Sequence, residues 1–360
     1  MRIAVLGVGL IGGSVGLAAR GRLDGVEVAG FDPSPVALEA ALELGVLDEA
    51  ARSPAEALTG AEVCFCCAPV GVLPRLVTEA LALAPENCVV SDVGSTKRQV
   101  AAATDGDPRF VGGHPVAGAE TSGVRHARAE LFEGATWYLT PGPRASGVLY
   151  ERLHRLVAGL GARPTALDPE THDRLLATVS HLPHVLANVL VAQAAETLAQ
   201  KGEGLPRVGP SFRDLTRVAG SNTAVWTDIY LANGEAIAAE VEETARRLDT
   251  VAAILRAGEA EPVRHWNDAA RGDRARLLEA DAGGGAVAEL TVSVPNRPGI
   301  VAQVALALGR AGVNIVDLAL APAADRRSGS MTLWVSGDDA AERARRLIEE
   351  LGFPVSAAAA

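Results

Sequence analysis

The chain is 360 residues long, beyond the size of one ordinary core, and its length implies two or three domains. A formal net charge of -11, with lysine only at Lys97 and Lys201, leaves no basic stripe for a phosphate backbone and argues against nucleic acid as a partner. With 48% hydrophobic residues there is ample material for packed cores. The opening apolar run Arg2–Leu6 ends in glycine too soon for a signal peptide or a membrane span, so a cytoplasmic protein without membrane contact is expected.

From residue 1 to 167, short apolar runs alternate with helix-like segments, the pattern of a Rossmann-type, doubly wound parallel sheet. Strands are expected at 2–6, 26–31, 63–68, 88–92, 109–112, 136–140 and 163–166, with helices at 14–20, 35–44, 72–83 and 148–159. The first strand runs into Gly7-Val8-Gly9-Leu10-Ile11-Gly12, a full GxGxxG ahead of a helix. Gly7 permits the tight turn, Gly9 lets a pyrophosphate approach the backbone, and Gly12 lets the helix pack closely, so that the helix N-terminus at Leu10 and Ile11 faces the phosphates. Asp32 follows Gly12 by 20 residues at the end of the second strand, where a carboxylate accepts hydrogen bonds from ribose hydroxyls and repels a 2′-phosphate. No Arg or Lys follows in Pro33–Val36, which favours NAD over NADP.

Cys64, Cys66 and Cys67 fall in one apolar run and Cys88 opens another, with no histidine or second cysteine pair at ligand spacing; buried structural thiols and no metal site are expected. After the fourth strand comes Ser91-Asp92-Val93-Gly94-Ser95-Thr96-Lys97, at the carboxyl end of the sheet. There Ser95 either orients an imidazole and a substrate hydroxyl or caps the helix that carries Lys97. Downstream, Gly112-Gly113-His114-Pro115-Val116-Ala117-Gly118 places a histidine in what reads as a glycine-flanked loop, its backbone held extended by Pro115. An imidazole there can take a proton at neutral pH beside a nicotinamide.

Beyond Asp168 the strand signal stops, and 170–200 reads as apolar helix almost throughout, followed by helices at 211–218, 235–255 and 259–279. So apolar a helical region, 168–280, is expected to bind substrate and to bury its surplus surface in a homodimer. In Ser180-His181-Leu182-Pro183-His184, Ser180 and His184 stand four residues apart, either contacting a ligand or satisfied within the core. Phe212-Arg213-Asp214-Leu215-Thr216-Arg217 leads to Trp226 and offers a guanidinium able to grip a carboxylate and an indole to wall a pocket; an Asp214–Arg217 surface pair is the plainer alternative. After a glycine-rich linker at 281–285, residues 286–356 read as strand, helix, strand, strand, helix and a short strand, a ferredoxin-like βαββαβ module.

Taken together, GxGxxG with Asp32, Asp92–Lys97, Gly113–Gly118, Ser180–His184, and Arg213–Arg217 with Trp226 resemble the prephenate dehydrogenase family. The C-terminal module, with Asn296-Arg297-Pro298-Gly299 and Gly312-Val313-Asn314-Ile315, looks like an ACT domain. The resemblance implies NAD-dependent oxidative decarboxylation of prephenate to 4-hydroxyphenylpyruvate, with His114 as catalytic base and Ser95 as its orienting partner. It implies Arg217 as the carboxylate anchor, Ser180, His184 and Trp226 as pocket walls, and tyrosine as an effector at Asn296, Arg297, Pro298, Gly299, Asn314 and Ile315. Arogenate dehydrogenase or a dual-specificity cyclohexadienyl dehydrogenase is the alternative enzyme, because the two substrates differ only in keto against amino. A sensor of NAD and amino acids without turnover is the alternative from another class. Ala119 departs from the Thr or Ser that relatives often carry there.

Overall fold

The computed structural model describes residues 1–118, 121–200, 208–281, 287–323 and 328–357. Ala119, most of the glycine-rich linker and the last three alanines lie outside the described residues. The chain divides into two compact units, residues 1–172 with 285–360, and residues 173–284.

In the first unit, β1 (Arg2–Leu6), α1 (Leu10–Arg22), β2 (Glu27–Phe31), α2 (Pro35–Glu43), β3 (Glu49–Ala50), α3 (Pro54–Leu58), β4 (Val63–Cys66), α4 (Leu73–Leu83) and β5 (Val89–Asp92) follow one another. The strands form a parallel sheet in the order β3-β2-β1-β4-β5. Strand order reverses between β1 and β4, so the crevice above their carboxyl ends is where such sheets bind ligands. Ser34 and Ser53 cap α2 and α3, each with proline in the first turn, which fixes where those helices begin. Cys64, Cys66 and Cys88 are buried and Cys67 partly so, as the apolar runs around them imply.

Next come α5 (Arg98–Ala103), β6 (Val111–Pro115), β7 (Thr136–Pro141), α6 (Gly147–Gly159) and β8 (Arg163–Ala166). They form a three-stranded sheet in the order β6-β7-β8, with β6 antiparallel to β7 and β7 parallel to β8, and a bridge between Val90 and Phe110 ties it to β5. Two details differ from the reading of the sequence: this part of the sheet is not parallel throughout, and His114 lies inside β6 rather than in a loop. Glycine is a weak strand former, which ended the expected strand at Gly112; here close backbone approach requires it. A Cβ on Gly112 would stand 2.2 Å from Thr140 Oγ1, and one on Gly113 would stand 2.5 Å from the Asp92 carbonyl oxygen.

Helix α7 (Pro169–Leu176) begins in the first unit, which includes His172, and the second unit is helical from there: a π-helical turn at Ala177–His181, α8 (Leu182–Gln200), α9 (Pro210–Thr216), α10 (Thr223–Ala232), α11 (Gly234–Ala257) and α12 (Ala260–Asp281). Pro183 sits just past the π turn, and a widened turn relieves the clash between a proline ring and the carbonyl four residues back. The segment Pro169–Thr197 is long and apolar enough to cross a membrane, and only 22% of its most apolar window is buried. Apolar side chains elsewhere in this unit are exposed too, among them Leu231, Leu248 and Leu255.

The C-terminal segment returns to the first unit as β9 (Val287–Pro295), α13 (Ile300–Arg310), β10 (Ile315–Pro322), β11 (Ser328–Ser336), α14 (Asp338–Glu350) and β12 (Val355–Ala357), an antiparallel βαββαβ sheet in the order β10-β11-β9-β12. Its apolar face joins that of α6 and β8 in one continuous core containing Leu149, Leu153, Val301, Val304, Leu308 and Leu318. Two glycines make the close packing possible. A Cβ on Gly309 would lie 1.7 Å from the Ala166 carbonyl oxygen, and one on Gly147 would lie 2.7 Å from Val301 Cγ2. Arg310 pairs with Asp168 at 2.9 Å across the same junction.

Candidate active site

The glycine-rich turn is assembled residue by residue. Gly7 has φ +102 and a Cβ there would sit 2.1 Å from the Cys67 carbonyl oxygen, while one on Gly12 would sit 2.1 Å from the Gly7 carbonyl oxygen. Around Gly9, by contrast, a Cβ meets nothing within 4 Å, so the space above it is open. Helix α1 begins there without a side-chain cap and without an acid in its first turn, leaving the amides around Leu10 and Ile11 and the positive end of the helix for an anion. Asp32 accepts from the Val8 and Ser34 amides, each at 2.8 Å, which fixes the carboxylate and leaves each oxygen a lone pair. The chemistry of this donor set fits a dinucleotide: an anion on the helix end and ribose hydroxyls on Asp32.

His114 occupies β6, between β5 and β7, and is held from several sides. Across β7 it faces Tyr138 in register, and its ring lies 5.1 Å, edge to face, from His172. Its Nδ1 stands 2.9 Å from Nε2 of His172, a fully buried residue in α7. The structure sets His172 against Nδ1, a partner for the imidazole that the sequence motifs do not contain. Ser95 sits in the bend after β5 ahead of Lys97, which occupies the capping position of α5, so Ser95 is not that helix's cap. No pattern in the sequence pointed to His172, because 58 residues separate it from His114 and only folding makes them neighbours.

Beneath His114 lies a buried ion pair. Lys97 and Asp92, at 1% and 0% side-chain exposure, are in direct contact. The Lys97 ammonium also donates to the Gly113 carbonyl at 2.7 Å, and Asp92 accepts from the Gly94 amide at 2.8 Å and the Gly113 amide at 3.2 Å. Both backbone polar groups of Gly113 are thereby tied to one charge pair, which sets the height and direction of β6 at the residue before His114. That is a structural reason for the Asp92–Lys97 spacing that the sequence alone did not disclose.

In the second unit, Arg217 follows α9, and Trp226 lies on α10, a helix the sequence reading did not place. The His184 ring stacks on Trp226 with centroids 3.4 Å apart, and Tyr230 packs against the same indole. These three rings, with Asn188 and Thr227, line a cavity of about 120 Å³. Burial, reinforced by the nearby Arg217 charge, lowers the His184 pKa to about 4, so the ring is neutral at physiological pH. Ser180 lies half-buried on the π turn. His181 takes the plainer role: it is buried and its Nδ1 is 3.2 Å from the Asn233 side-chain amide.

The six residues expected at an effector site do not come together. Asn296, Arg297 and Pro298 line a cavity in the first unit, and Gly299 adjoins it. Ile315 is a core residue and Asn314 precedes β10 beyond the far end of α13, whose 11 residues hold the two turns about 16 Å apart.

The glycine turn at the switch point of a doubly wound sheet defines a dinucleotide-binding protein of the dehydrogenase type. Residues 15–165 match the nucleotide-binding domain of prephenate dehydrogenase, residues 168–267 its dimerization domain, and residues 290–352 an AHAS small subunit-like ACT domain. A prephenate dehydrogenase of Bacillus subtilis is 32% identical over 355 residues, 96% of this chain and 95% of that one. The structure of prephenate dehydrogenase from A. aeolicus in complex with hydroxyphenyl propionate and NAD+ aligns with a TM-score of 0.69 at 27% identity, covering 77% of this chain and 98% of that one. Synechocystis arogenate dehydrogenase aligns at 0.67 and 26%, covering 77% and 100%. The chain belongs to the prephenate dehydrogenase family.

Proposed function

We propose that the chain catalyses NAD-dependent oxidative decarboxylation of prephenate to 4-hydroxyphenylpyruvate, in the cytoplasm and as a homodimer. The observation that carries this reading is the buried His114–His172 contact on β6, in the same compact unit as a complete dinucleotide cradle. NAD, when bound on Gly7–Gly12 and Asp32, supplies the hydride acceptor. The protein's part is proton transfer and alignment. His114, donating its Nδ1 proton to His172 Nε2, presents Nε2 as the acceptor for the proton of the substrate's ring hydroxyl. Hydride departs from the same carbon, the C–CO2 bond gives its electron pair to the ring, and CO2 leaves as the ring becomes aromatic. A positioned base of this kind contributes about 100- to 10,000-fold. Ser95 shares the hydroxyl, Arg217 grips a side-chain carboxylate through two parallel hydrogen bonds, and Ser180, His184 and Trp226 wall the pocket. A neutral His184 suits that place, since it adds no charge beside the guanidinium. The match to a dimerization domain and the exposed apolar side chains of the helical unit support the homodimer. The ACT-like domain supports feedback inhibition by tyrosine.

The test is NADH formation by purified protein with NAD and prephenate, with arogenate and added tyrosine in parallel. Turnover of prephenate suppressed by tyrosine is the expected result. Turnover with arogenate alone would keep the mechanism and replace the substrate, and no turnover with either would overturn the reading. His172→Gln is expected to lower kcat with little change in KM and to displace the pH profile of kcat; a change in stability alone would leave His172 a packing residue.

A further inference from the structure

We propose that Tyr230, with Asn188 behind it, reads the side chain of the substrate and selects an α-keto acid over the α-amino acid that differs from it only there. The proposal rests on the prephenate reading above and assigns its substrate preference to two residues of the helical unit. Both stand one helical turn beyond residues already placed at the pocket. Asn188 follows His184 by four on α8, and Tyr230 follows Trp226 by four on α10, so each pair shares a helix face. The two helices therefore meet in two rungs. In the first, the His184 and Trp226 rings stack at 3.4 Å; in the second, the Asn188 side-chain amide donates to the Tyr230 phenol oxygen at 3.4 Å.

The direction of that second bond decides what the phenol can offer. Asn188 donates, so the phenol oxygen is occupied as an acceptor and its O–H is left to donate. Among the described residues that O–H has no acceptor. Burial raises the Tyr230 pKa above its ordinary value, with the Asn188 bond offsetting part of the rise, so the proton stays on the phenol at neutral pH. The ring is also held in place, because it packs against Trp226 with centroids 5.5 Å apart.

The cavity that these groups share, about 120 Å³, is smaller than the roughly 300 Å³ of a complete small-molecule site, and takes one substituent of the substrate rather than the whole. A carbonyl oxygen only accepts, which is what an O–H donor requires. An ammonium group only donates, and would meet an oxygen already bonded to Asn188. Among the described residues no acid lines the cavity. The charge that bears on its His184 wall is the Arg217 guanidinium, which repels a cation and attracts the carboxylate beside the carbonyl. A site that hydrogen-bonds a substrate oxygen rejects the analogue lacking it, because the donor of the site is then left unpaired.

The experiment measures NADH formation with NAD, and calorimetric binding without it, for prephenate and for arogenate on the full-length parent, Tyr230→Phe and Asn188→Asp. The parent is expected to prefer prephenate in both assays. Tyr230→Phe keeps the ring against Trp226 and removes only the O–H. The ratio of kcat/KM for prephenate to that for arogenate should then fall about three- to tenfold, the contribution of one hydrogen bond, chiefly through the KM for prephenate. Asn188→Asp turns the donor behind the phenol into a carboxylate that attracts an ammonium, and should move the same ratio about tenfold or more toward arogenate. An unchanged ratio in both variants, an equal loss with both substrates in Tyr230→Phe, no binding of either substrate, or a parent that prefers arogenate would overturn the proposal. Keto-selective binding that Tyr230→Phe relaxes, in a protein without turnover, would sustain the pocket and sink the proposed activity. Prephenate turnover with a ratio indifferent to both variants would keep the activity and remove Tyr230 from its specificity.

Discussion

His114 and His184 are both placed by neighbours, but in different ways. Around His114 the backbone itself is fixed: both polar groups of Gly113 are bonded to a buried ion pair, two glycines admit β7 and β5 at near-contact distance, and a second histidine meets the ring. Around His184 the support is a stack of rings on helices that leave much apolar surface uncovered, with an exposed arginine nearby. The first arrangement is closed and suits a step that needs sub-ångström alignment. The second suits a pocket that adapts to a substrate and is finished by another surface, such as a second subunit.

The largest way to break the comparison is at the closed end. His114→Asn is expected to cut kcat by about 100- to 10,000-fold while leaving the affinity for NAD unchanged, because only the proton acceptor is lost. NADH production within twofold of the parent would remove His114 from the mechanism. Trp226→Ala, at the adaptable end, should act chiefly on KM.

Next in size is the ion pair. Lys97→Met leaves Asp92 charged and buried, which costs about 3–5 kcal/mol, and it frees β6 at Gly113, so both the unfolding midpoint and kcat should fall. Replacing both partners, Lys97→Met with Asp92→Leu, should recover stability without recovering activity. Recovery of both would show that the pair serves the fold alone.

Sequence reading reached the doubly wound sheet, the glycine cradle, the helical region and the βαββαβ segment because each is written in local periodicity and spacing. It missed what depends on meetings across the chain. His172 meets His114 only after α7 is laid down, and no spacing rule links positions 58 apart. Lys97 was visible as part of a motif, but its bond to the Gly113 carbonyl is a product of sheet order, β5 beside β6. The strand status of His114 was hidden by its glycines, which ordinarily mark a loop and here mark close packing. The effector set was grouped by motif, whereas α13 keeps its two turns apart.

The smallest effect concerns the junction of the two parts of the first unit. His154, on α6, is almost fully buried against β10 near Asp317, and burial lowers its pKa to about 4 from an ordinary 6.5, the Asp317 charge offsetting only part of the shift. The unfolded chain takes up this proton as pH falls through 6.5, while the folded chain refuses it until about 4. Stability is therefore full above pH 6.5, declines across that window by about 3 kcal/mol and is level below it. His184, also near 4 but only half-buried, adds a smaller, solvent-screened share from the other unit. Hydrogen exchange resolves the two: between neutral and mildly acid pH, amides of α6 and β10 should lose protection in the parent and keep it in His154→Leu. If the leucine variant loses protection to the same extent, the acid sensitivity of this junction comes from carboxylates instead, with Asp168, held low partly by Arg310, the first to examine.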